Sequence, residues 1–344
     1  MSRWIDNQLA DRLYMVNQVS EVKNIAPESV EKDWWVTMVL KAVFGMSMAK
    51  YAFFKGGTSL SKGWNLINRF SEDIDIALYR DFFLTERGLA CARCENNNQV
   101  KLLRKVSRDY IHGEMRQELE ARLREMKLDV TVEPVTTRLT AEGEKPIDHD
   151  ADPTLLLVHY PSMFSGSHSY VKPVVKVEIS CLSMREPFEL KRISSLISEG
   201  FAEDDNEAVA EIATISPART FLEKAFLLCE EYQRRNPRTL RMSRHLYDLE
   251  KLMDSEYGRA ALRDIDLYHK IVEHRQKFYH VGGVNYALDL PERIVFCPTG
   301  EVRERLRADY DNMRSSFIYG DALEFDELIK RIEELQERFR SLKV

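Results

Sequence analysis

The chain has 344 residues, of which 44% are hydrophobic and 31% charged, and its formal net charge at pH 7 is −6. This length and composition are typical of a soluble globular protein with room for two domains, and the acidic balance argues against a surface coated in positive charge, while leaving room for a local basic patch. No apolar run reaches the roughly 18 residues of a membrane helix, and residues 1–10 lack a secretory signal pattern, so we expect a cytoplasmic protein without a membrane segment.

Five thinly spread cysteines do not suggest a disulfide framework. Cys91 and Cys94 form the one close pair, and no second pair completes a zinc site. The histidines show no H-x-x-x-H spacing and no nucleophilic triad pattern. We therefore predict ordinary thiols and no transition-metal site.

The apolar spacing predicts several elements in the first two thirds of the chain. A helix begins near Ser29, and the aromatic run Tyr51–Phe54 ends at a glycine turn that opens a new helix. Residues 100–126 are charged and helix-prone. The remaining segments alternate or run apolar like strands, and these are 69–79, 129–139, 154–159 and 171–183.

From Ser216 onward the periodicity is helical, with apolar stripes over 222–229, 242–253 and 328–339. Strands followed by a run of helices indicate an α+β protein. We predict a mixed sheet flanked by helices over residues 1–200 and a helical domain over residues 201–344.

Asp73 and Asp75 carry the first chemical signal. On a strand their side chains project from one face, with Ile74 and Ile76 on the other. Two such carboxylates can hold Mg²⁺ against a triphosphate and lower the pKa of an attacking hydroxyl. Alone, a D-x-D pair is more often a solvated strand end.

The preceding turn makes the combination more specific. Glycine at positions 56 and 57 lets the backbone approach a phosphate, and the hydroxyls of Thr58 and Ser59 add donors. The competing interpretation is a glycine cap between two helices.

Glu178, in the apolar run Val174–Ile179, is a candidate third carboxylate for the metal. The alternative is that it pairs with Lys176 or Arg185 at a sheet edge.

Ser216-Pro217 opens a helix whose apolar face uses Leu222, Ala225 and Phe226. Lys224 lies off that stripe, so we expect it to be free for a phosphate, although a lone helical lysine is usually solvated. Asp248 is either a base or orienting carboxylate, or the surface ion-pair partner of Arg244.

A basic segment follows, and its charge suits triphosphate or RNA backbone. Its candidate RNA-binding residues are Arg234, Arg235, Arg238, Arg241 and Arg244.

Together these motifs resemble the bacterial AbiEii/AbiGii-type nucleotidyltransferase toxins of abortive infection and type IV toxin–antitoxin systems. The resemblance begins at Val30–Asp33 and includes the Lys224 helix and Asp309–Met313. It is strongest over Phe54–Lys62 with Arg69–Asp75, and it extends through Arg244–Leu249.

The resemblance implies a polymerase-β-like nucleotidyltransferase fold. It also implies metal ligation by Asp73 and Asp75, a triphosphate contact from Lys224 and a further catalytic acid at Asp248, with the helical domain contributing both to the active-site cleft. On the same grounds the nucleotide-binding positions are Lys55, Gly56, Gly57, Thr58, Ser59, Arg69, Ser71 and Lys224, and the metal positions are Asp73, Asp75 and Glu178.

The implied function is Mg²⁺- or Mn²⁺-dependent transfer of a nucleotide from a nucleoside triphosphate to an RNA acceptor. The tRNA 3′ end is the implied acceptor, growth arrest the implied outcome, and a cognate antitoxin from the same operon the implied partner. Three alternatives remain open, namely transfer to a protein hydroxyl or free nucleotide, a catalytically idle binding module, and a housekeeping tRNA-maturing enzyme.

Overall fold

The computed structural model describes residues 3–140, 143–164, 172–279 and 281–343. Within these ranges the chain forms nine β-strands and twelve α-helices. The strands are β1 (Ala52–Lys55), β2 (Asp73–Leu78), β3 (Thr131–Pro134), β4 (Thr137–Thr140), β5 (Gly143–Pro146), β6 (Thr154–His159), β7 (Val174–Ser180), β8 (Phe188–Ser194) and β9 (Val209–Ile215).

The helices are α1 (Leu9–Lys23), α2 (Pro27–Val43), α3 (Gly56–Lys62), α4 (Asn97–Tyr110), α5 (Arg116–Glu125), α6 (Leu196–Gly200), α7 (Pro217–Tyr232), α8 (Ser243–Met253), α9 (Glu256–Arg263), α10 (Ile265–Phe278), α11 (Gly300–Ser316) and α12 (Phe325–Arg340). A π-helical turn over Ile111–Met115 joins α4 to α5, so the predicted helix over 100–126 is one interrupted helical segment. Within the described ranges, no helix combines the length and the apolar character that a bilayer crossing requires.

Seven strands form one mixed sheet in the order β3-β6-β7-β2-β1-β9-β8, and β4 and β5 form a separate hairpin. The central strand β2 pairs antiparallel with β1 and parallel with β7. Alternation explains the placement of β2 and β7, because Ile74, Ile76, Val175 and Val177 are all 0% exposed while the residues between them are half-buried. The predicted mixed sheet flanked by helices, with a helical region after it, is confirmed.

The chain divides into two compact units. The first unit comprises Met1–Gly63 and Ser71–Thr214, and the second comprises Trp64–Phe70 and Ile215–Val344. The expected boundary near residue 200 falls between β8 and β9, and β9 still belongs to the sheet, since Phe54 of β1 pairs in parallel with Thr214.

Each unit has its own apolar core. In the first, α2 packs against β7 and β2 and buries Trp34, Trp35 and Met38. In the second, α7 packs against α8, α9 and α10, and Phe226 contacts the ring of Tyr268 edge-on. Burial of these large side chains supplies the main stabilisation of each unit.

Three predicted strands differ from the observed ones. The strand expected over 69–79 begins only at Asp73, because Arg69 and Phe70 bond instead to residues of the second unit. The strand expected over 129–139 is two strands, β3 and β4, in separate sheets. Of the strand expected over 171–183, β7 covers Val174–Ser180, and Val171 lies outside the described residues.

Candidate active site

Asp73 and Asp75 lie on one face of β2, as their spacing predicts. Both side chains are half-buried, and Ile74 and Ile76 fill the opposite face. The strand lies in the middle of the sheet, so its backbone is fixed by β1 on one side and β7 on the other. The two carboxylates are therefore presented from a rigid element.

The neighbouring strands add charged residues to the same face. In the parallel pairing of β2 with β7, Asp73 is opposite Lys176 and Asp75 is opposite Glu178. On the other side, Asp75 is opposite Lys55 of β1. Three carboxylates and two ammonium groups thus share two adjacent rows of the sheet.

Glu178 forms the ion pair that the sequence offered as an alternative. Lys176 Nζ lies 2.6 Å from Glu178 Oε1 and 3.5 Å from Asp73 Oδ2. β7 is an inner strand, so this pairing does not occur at a sheet edge. Burial alone would lower the pKa of Lys176, but Glu178 and Asp73 outweigh it and raise that pKa, so the ammonium is charged.

Gly56 is required by the position of Asp75. Its φ is +78°, in the left-handed region, and it begins α3 directly after β1. A Cβ placed on Gly56 would lie 1.9 Å from Asp75 Oδ2. Because glycine has no Cβ, the Asp75 carboxylate can occupy this space.

Thr58 and Ser59 are fully buried and serve the local structure. The Thr58 hydroxyl donates to the main-chain oxygen of Asp73 and lies 2.8 Å from the Ser71 hydroxyl. The Ser59 hydroxyl donates to the Gly56 carbonyl at 2.8 Å. These bonds join the turn to the start of β2, and Gly57 lies half-buried in the first turn of α3.

Three consecutive charged residues of α2 brace the same region, and the sequence interpretation missed their role. Lys32 lies 2.6 Å from Glu72, the residue before Asp73, and Asp33 pairs with Lys62 at the end of α3. Glu31 accepts bonds from the Ser162 hydroxyl and the Met163 amide. The available signal was a run of charges inside an otherwise apolar helix, where burial requires partners.

The second unit contains a buried ionic cluster around Asp248. The Arg69 guanidinium donates to both carboxylate oxygens of Asp248, at 2.7 and 2.8 Å, and Lys224 Nζ lies 2.8 Å from Asp248 Oδ2. Asp248 is 0% exposed, so it is not part of a surface ion pair. Lys224 is also buried and paired, which corrects the expectation that it lies free beside the apolar stripe.

The electrostatics of this cluster fix the protonation states. Burial would raise the pKa of Asp248, but Arg69 and Lys224 outweigh it and hold that pKa well below its usual range. Burial, then the charges of Lys224 and Arg244, lower the pKa of His245 well below its usual range. A neutral His245 can accept from Lys224, whose Nζ lies 3.3 Å from His245 Nδ1. Burial lowers the pKa of Lys224, whereas the two cations favour the ionised form of Asp248, whose two oxygens both contact them.

The basic segment lies between α7 and α8. Arg234, Arg235, Arg238 and Arg241 are exposed there, and Arg244 is half-buried on α8. Arg238 bonds to the buried Glu231 carboxylate through its amide and guanidinium. Arg241 precedes α8 with a φ of +59°, so it does not share a helical face with Asp248.

The sequence model of the family described as "Nucleotidyl transferase AbiEii toxin, Type IV TA system" matches residues 45–331. The chain belongs to the AbiEii nucleotidyltransferase toxin family. This match includes the glycine turn, β2, β7, α7 and α8, and it confirms the resemblance inferred from the motifs. The chain is therefore a nucleotidyltransferase toxin of a type IV toxin–antitoxin system, with a nucleoside triphosphate as substrate and a cognate antitoxin as partner.

MenT4, a nucleotidyltransferase toxin from Mycobacterium tuberculosis H37Rv, is 15% identical with a TM-score of 0.45, over 96% of this chain and 99% of that chain. No curated protein matches this chain.

The carboxylate face of β2 and β7 carries oxygen donors of the kind that a divalent cation binds. Its oxygen donors are the hard ligands that Mg²⁺ and Mn²⁺ accept, and Gly56 leaves room for the Asp75 carboxylate at the centre of the face. In the part of the chain that the structure describes, no group of three or more His, Cys, Asp or Glu side chains is arranged to hold a metal ion. The Lys176 ammonium lies between Asp73 and Glu178 instead.

Proposed function

We propose that this protein transfers a nucleoside monophosphate from a nucleoside triphosphate to an RNA acceptor, with the 3′ end of tRNA as the acceptor. The observation that carries the proposal is the Asp73/Asp75 pair on one face of β2, beside a glycine whose missing Cβ makes room for Asp75. Transfer to tRNA ends would block translation, and it takes place in the cytoplasm, where both substrates are found.

Asp73 and Asp75 are proposed to hold magnesium or manganese, with Glu178 as a third ligand. These carboxylates would hold the ion beside the triphosphate, where its positive charge would favour in-line attack by the acceptor hydroxyl on the α-phosphorus, with pyrophosphate as the leaving group. Lys55 lies opposite Asp75 and supplies positive charge for the phosphates next to the Gly56 turn. Ser71 lies just before β2 in the sequence, and its hydroxyl is beside the Thr58 hydroxyl.

Lys224 is proposed as a phosphate contact, and Asp248 as the residue that positions it. Asp248 accepts from Arg69 and lies within ion-pair distance of Lys224, and these two cations hold its pKa far below neutrality. The geometry therefore supports a holding role for Asp248 and Arg69 rather than proton transfer.

The proposal of an RNA acceptor rests on the positive charge of the segment between α7 and α8. Four exposed arginines lie within eight residues between α7 and α8, on a chain whose net charge is −6. Such a local concentration of guanidinium groups suits the phosphates of an RNA backbone. The segment is therefore the proposed RNA contact.

The test is incubation with total tRNA, Mg²⁺ and each α-labelled nucleoside triphosphate in turn. We expect label on tRNA, lost to background in Asp73→Asn and retained in Asp129→Asn, which alters an exposed carboxylate outside the site. Label on protein or on free nucleotides would replace the tRNA acceptor. Equal labelling by Asp73→Asn would refute the metal site.

Expression in a bacterial host separates a toxin from a tRNA-maturing enzyme. We expect growth arrest with the wild type, none with Asp73→Asn, and relief when the neighbouring antitoxin gene is added. Faster growth of the host on expression would support the housekeeping alternative.

A further inference from the structure

The Lys176 ammonium contacts the same carboxylates whose negative charge a bound metal ion would neutralise. Its Nζ lies 2.6 Å from Glu178 Oε1 and 3.5 Å from Asp73 Oδ2, and both carboxylates are proposed metal ligands. The position is set by the sheet, because Lys176 is opposite Asp73 and Glu178 follows two residues later on the same face. The lysine is therefore a built-in partner of the carboxylate face.

The charges on this face explain why the lysine is needed. Asp73, Asp75 and Glu178 carry three negative charges on two paired strands, and Lys176 is held directly among them. Without a cation these carboxylates would repel each other at half-buried positions. With a divalent cation in place, the ammonium would itself be repelled, so the two cations compete for the same oxygens.

The Lys176 side chain is able to move away from the carboxylates. It keeps 32% exposure, and a lysine has a flexible four-carbon stem, whereas Val175 and Val177 on either side are buried and fix the strand. A triphosphate bound over this face offers the ammonium a new set of oxygens. The energetic cost of moving the lysine then falls only when nucleotide is present.

We propose that Lys176 couples metal binding to nucleotide binding, pairing with Asp73 and Glu178 in the empty enzyme and with the triphosphate in the filled one. The inference rests on the proposed function, since it takes Asp73 and Glu178 as metal ligands. Lys176 is a positioning residue in the empty state, and because a divalent cation must displace it, the site binds that cation weakly until the nucleotide arrives.

The experiment measures Mn²⁺ binding by electron paramagnetic resonance of the free ion, with and without a non-hydrolysable triphosphate. In the wild type we expect the analogue to tighten Mn²⁺ binding. In Lys176→Met we expect Mn²⁺ binding without nucleotide to be about tenfold tighter than in the wild type, and the effect of the analogue to shrink. Lys176→Arg keeps the positive charge and should retain the weak nucleotide-free binding.

Lys191→Met is the matched control. Lys191 pairs with Glu189 two residues away on β8, at 3.1 Å, so it reproduces the lysine–glutamate spacing away from the acidic pair. Its Mn²⁺ binding should equal that of the wild type. If Lys176→Met is unfolded by circular dichroism, Lys176→Gln replaces it with the same expectation.

The outcomes separate this inference from the proposed function. If Asp75→Asn abolishes Mn²⁺ binding to the nucleotide complex while Lys176→Met and Lys176→Gln bind Mn²⁺ like the wild type, the metal site stands and the coupling role of Lys176 is overturned. If Asp75→Asn leaves Mn²⁺ binding unchanged, both the metal site and the coupling role are overturned.

Discussion

Two structural requirements, one on the backbone angle and one on space, both make residue 56 a glycine. Its φ of +78° is costly for any residue with a Cβ, and the carboxylate of Asp75 fills the space that a Cβ would take. The glycine turn and the D-x-D pair are therefore one arrangement, although 19 positions separate residues 56 and 75 in the sequence. This contact ties the turn directly to the proposed metal ligand.

Gly56→Ala should abolish nucleotidyl transfer while the protein stays folded. The left-handed backbone costs about 1–2 kcal/mol with alanine, and the Cβ must displace the Asp75 carboxylate. Melting temperature and transfer rate are the measurements.

Gly88→Ala provides the control for that change. Gly88 has a φ of +66°, but no other group lies within 4 Å of its Cβ position. It should lower the melting temperature by a similar amount and leave transfer intact. Equal loss of transfer in both variants would assign the effect to backbone strain rather than to Asp75.

The sequence predicts this part of the site because its information is local. Strand alternation places Asp73 and Asp75 on one face, and two glycines mark the turn. Lys176 could not be placed in the same way, because its contact with Asp73 depends on the register between two strands about 100 residues apart. The roles predicted for Asp73, Asp75, Glu178, Lys224 and Asp248 stay predictions until the variants are measured.

Among the elements, α7, α8 and the segment 64–70 are held together by one carboxylate. Asp248 of α8 binds Lys224 of α7 and Arg69 of the segment, and Tyr247 OH accepts from the amide of Asn68. All three charged side chains are buried. Removal of this single negative charge would leave the buried cations of Lys224 and Arg69 without their shared counter-charge.

Asp248→Asn should therefore lower the free energy of unfolding by about 3–5 kcal/mol, measured by urea denaturation. Asp326 offers a matched control, because its carboxylate also accepts from two cations, Arg303 at 2.9 Å and Arg307 at 2.7 Å, but at an exposed site. Asp326→Asn should change stability little. A similar small change in both variants would show that the buried cluster is not structural.

The elements that the sequence interpretation missed are those with weak patterns. β8 is an edge strand whose Glu189, Leu190 and Arg192 are exposed, so it lacks a continuous apolar face. β9 buries two apolar residues, Ile212 and Ile215, and the polar Thr214, while Glu211 is exposed and the rest of the strand is half-buried. By contrast, α7 and α12 carry clear apolar stripes, and both were predicted at their observed positions.

For the whole molecule, a buried carboxyl pair should contribute to the dependence of stability on pH. Asp289 is 0% exposed and lies near Glu230, which is paired with Arg275 at 2.5 Å. Burial and the Glu230 charge raise the pKa of Asp289 to about 8. The folded protein therefore binds this proton more tightly than the unfolded chain, whose Asp pKa is about 3.9, and stability should fall as pH rises from about 4 to about 8.

Asp289→Asn removes this ionisation, so it should raise the melting temperature, and by more at pH 8 than at pH 5. Differential scanning calorimetry at both pH values gives the comparison. Asp266→Asn, at an exposed carboxyl, should show no such difference. A gain in melting temperature that is equal at pH 5 and pH 8 would contradict the raised pKa.

The chain crosses between the two compact units three times, which limits how the protein can be truncated. The chain passes from the first unit to the second at residues 63–64, returns at 70–71, and leaves again at 214–215. A truncation after β9 would keep Arg69 but remove Asp248, Tyr247 and Phe317, to which residues 68–70 bond. No single stop codon or protease cut can therefore release either unit intact. A library that exchanges one of these units for another would need to join the chains at all three crossings at once.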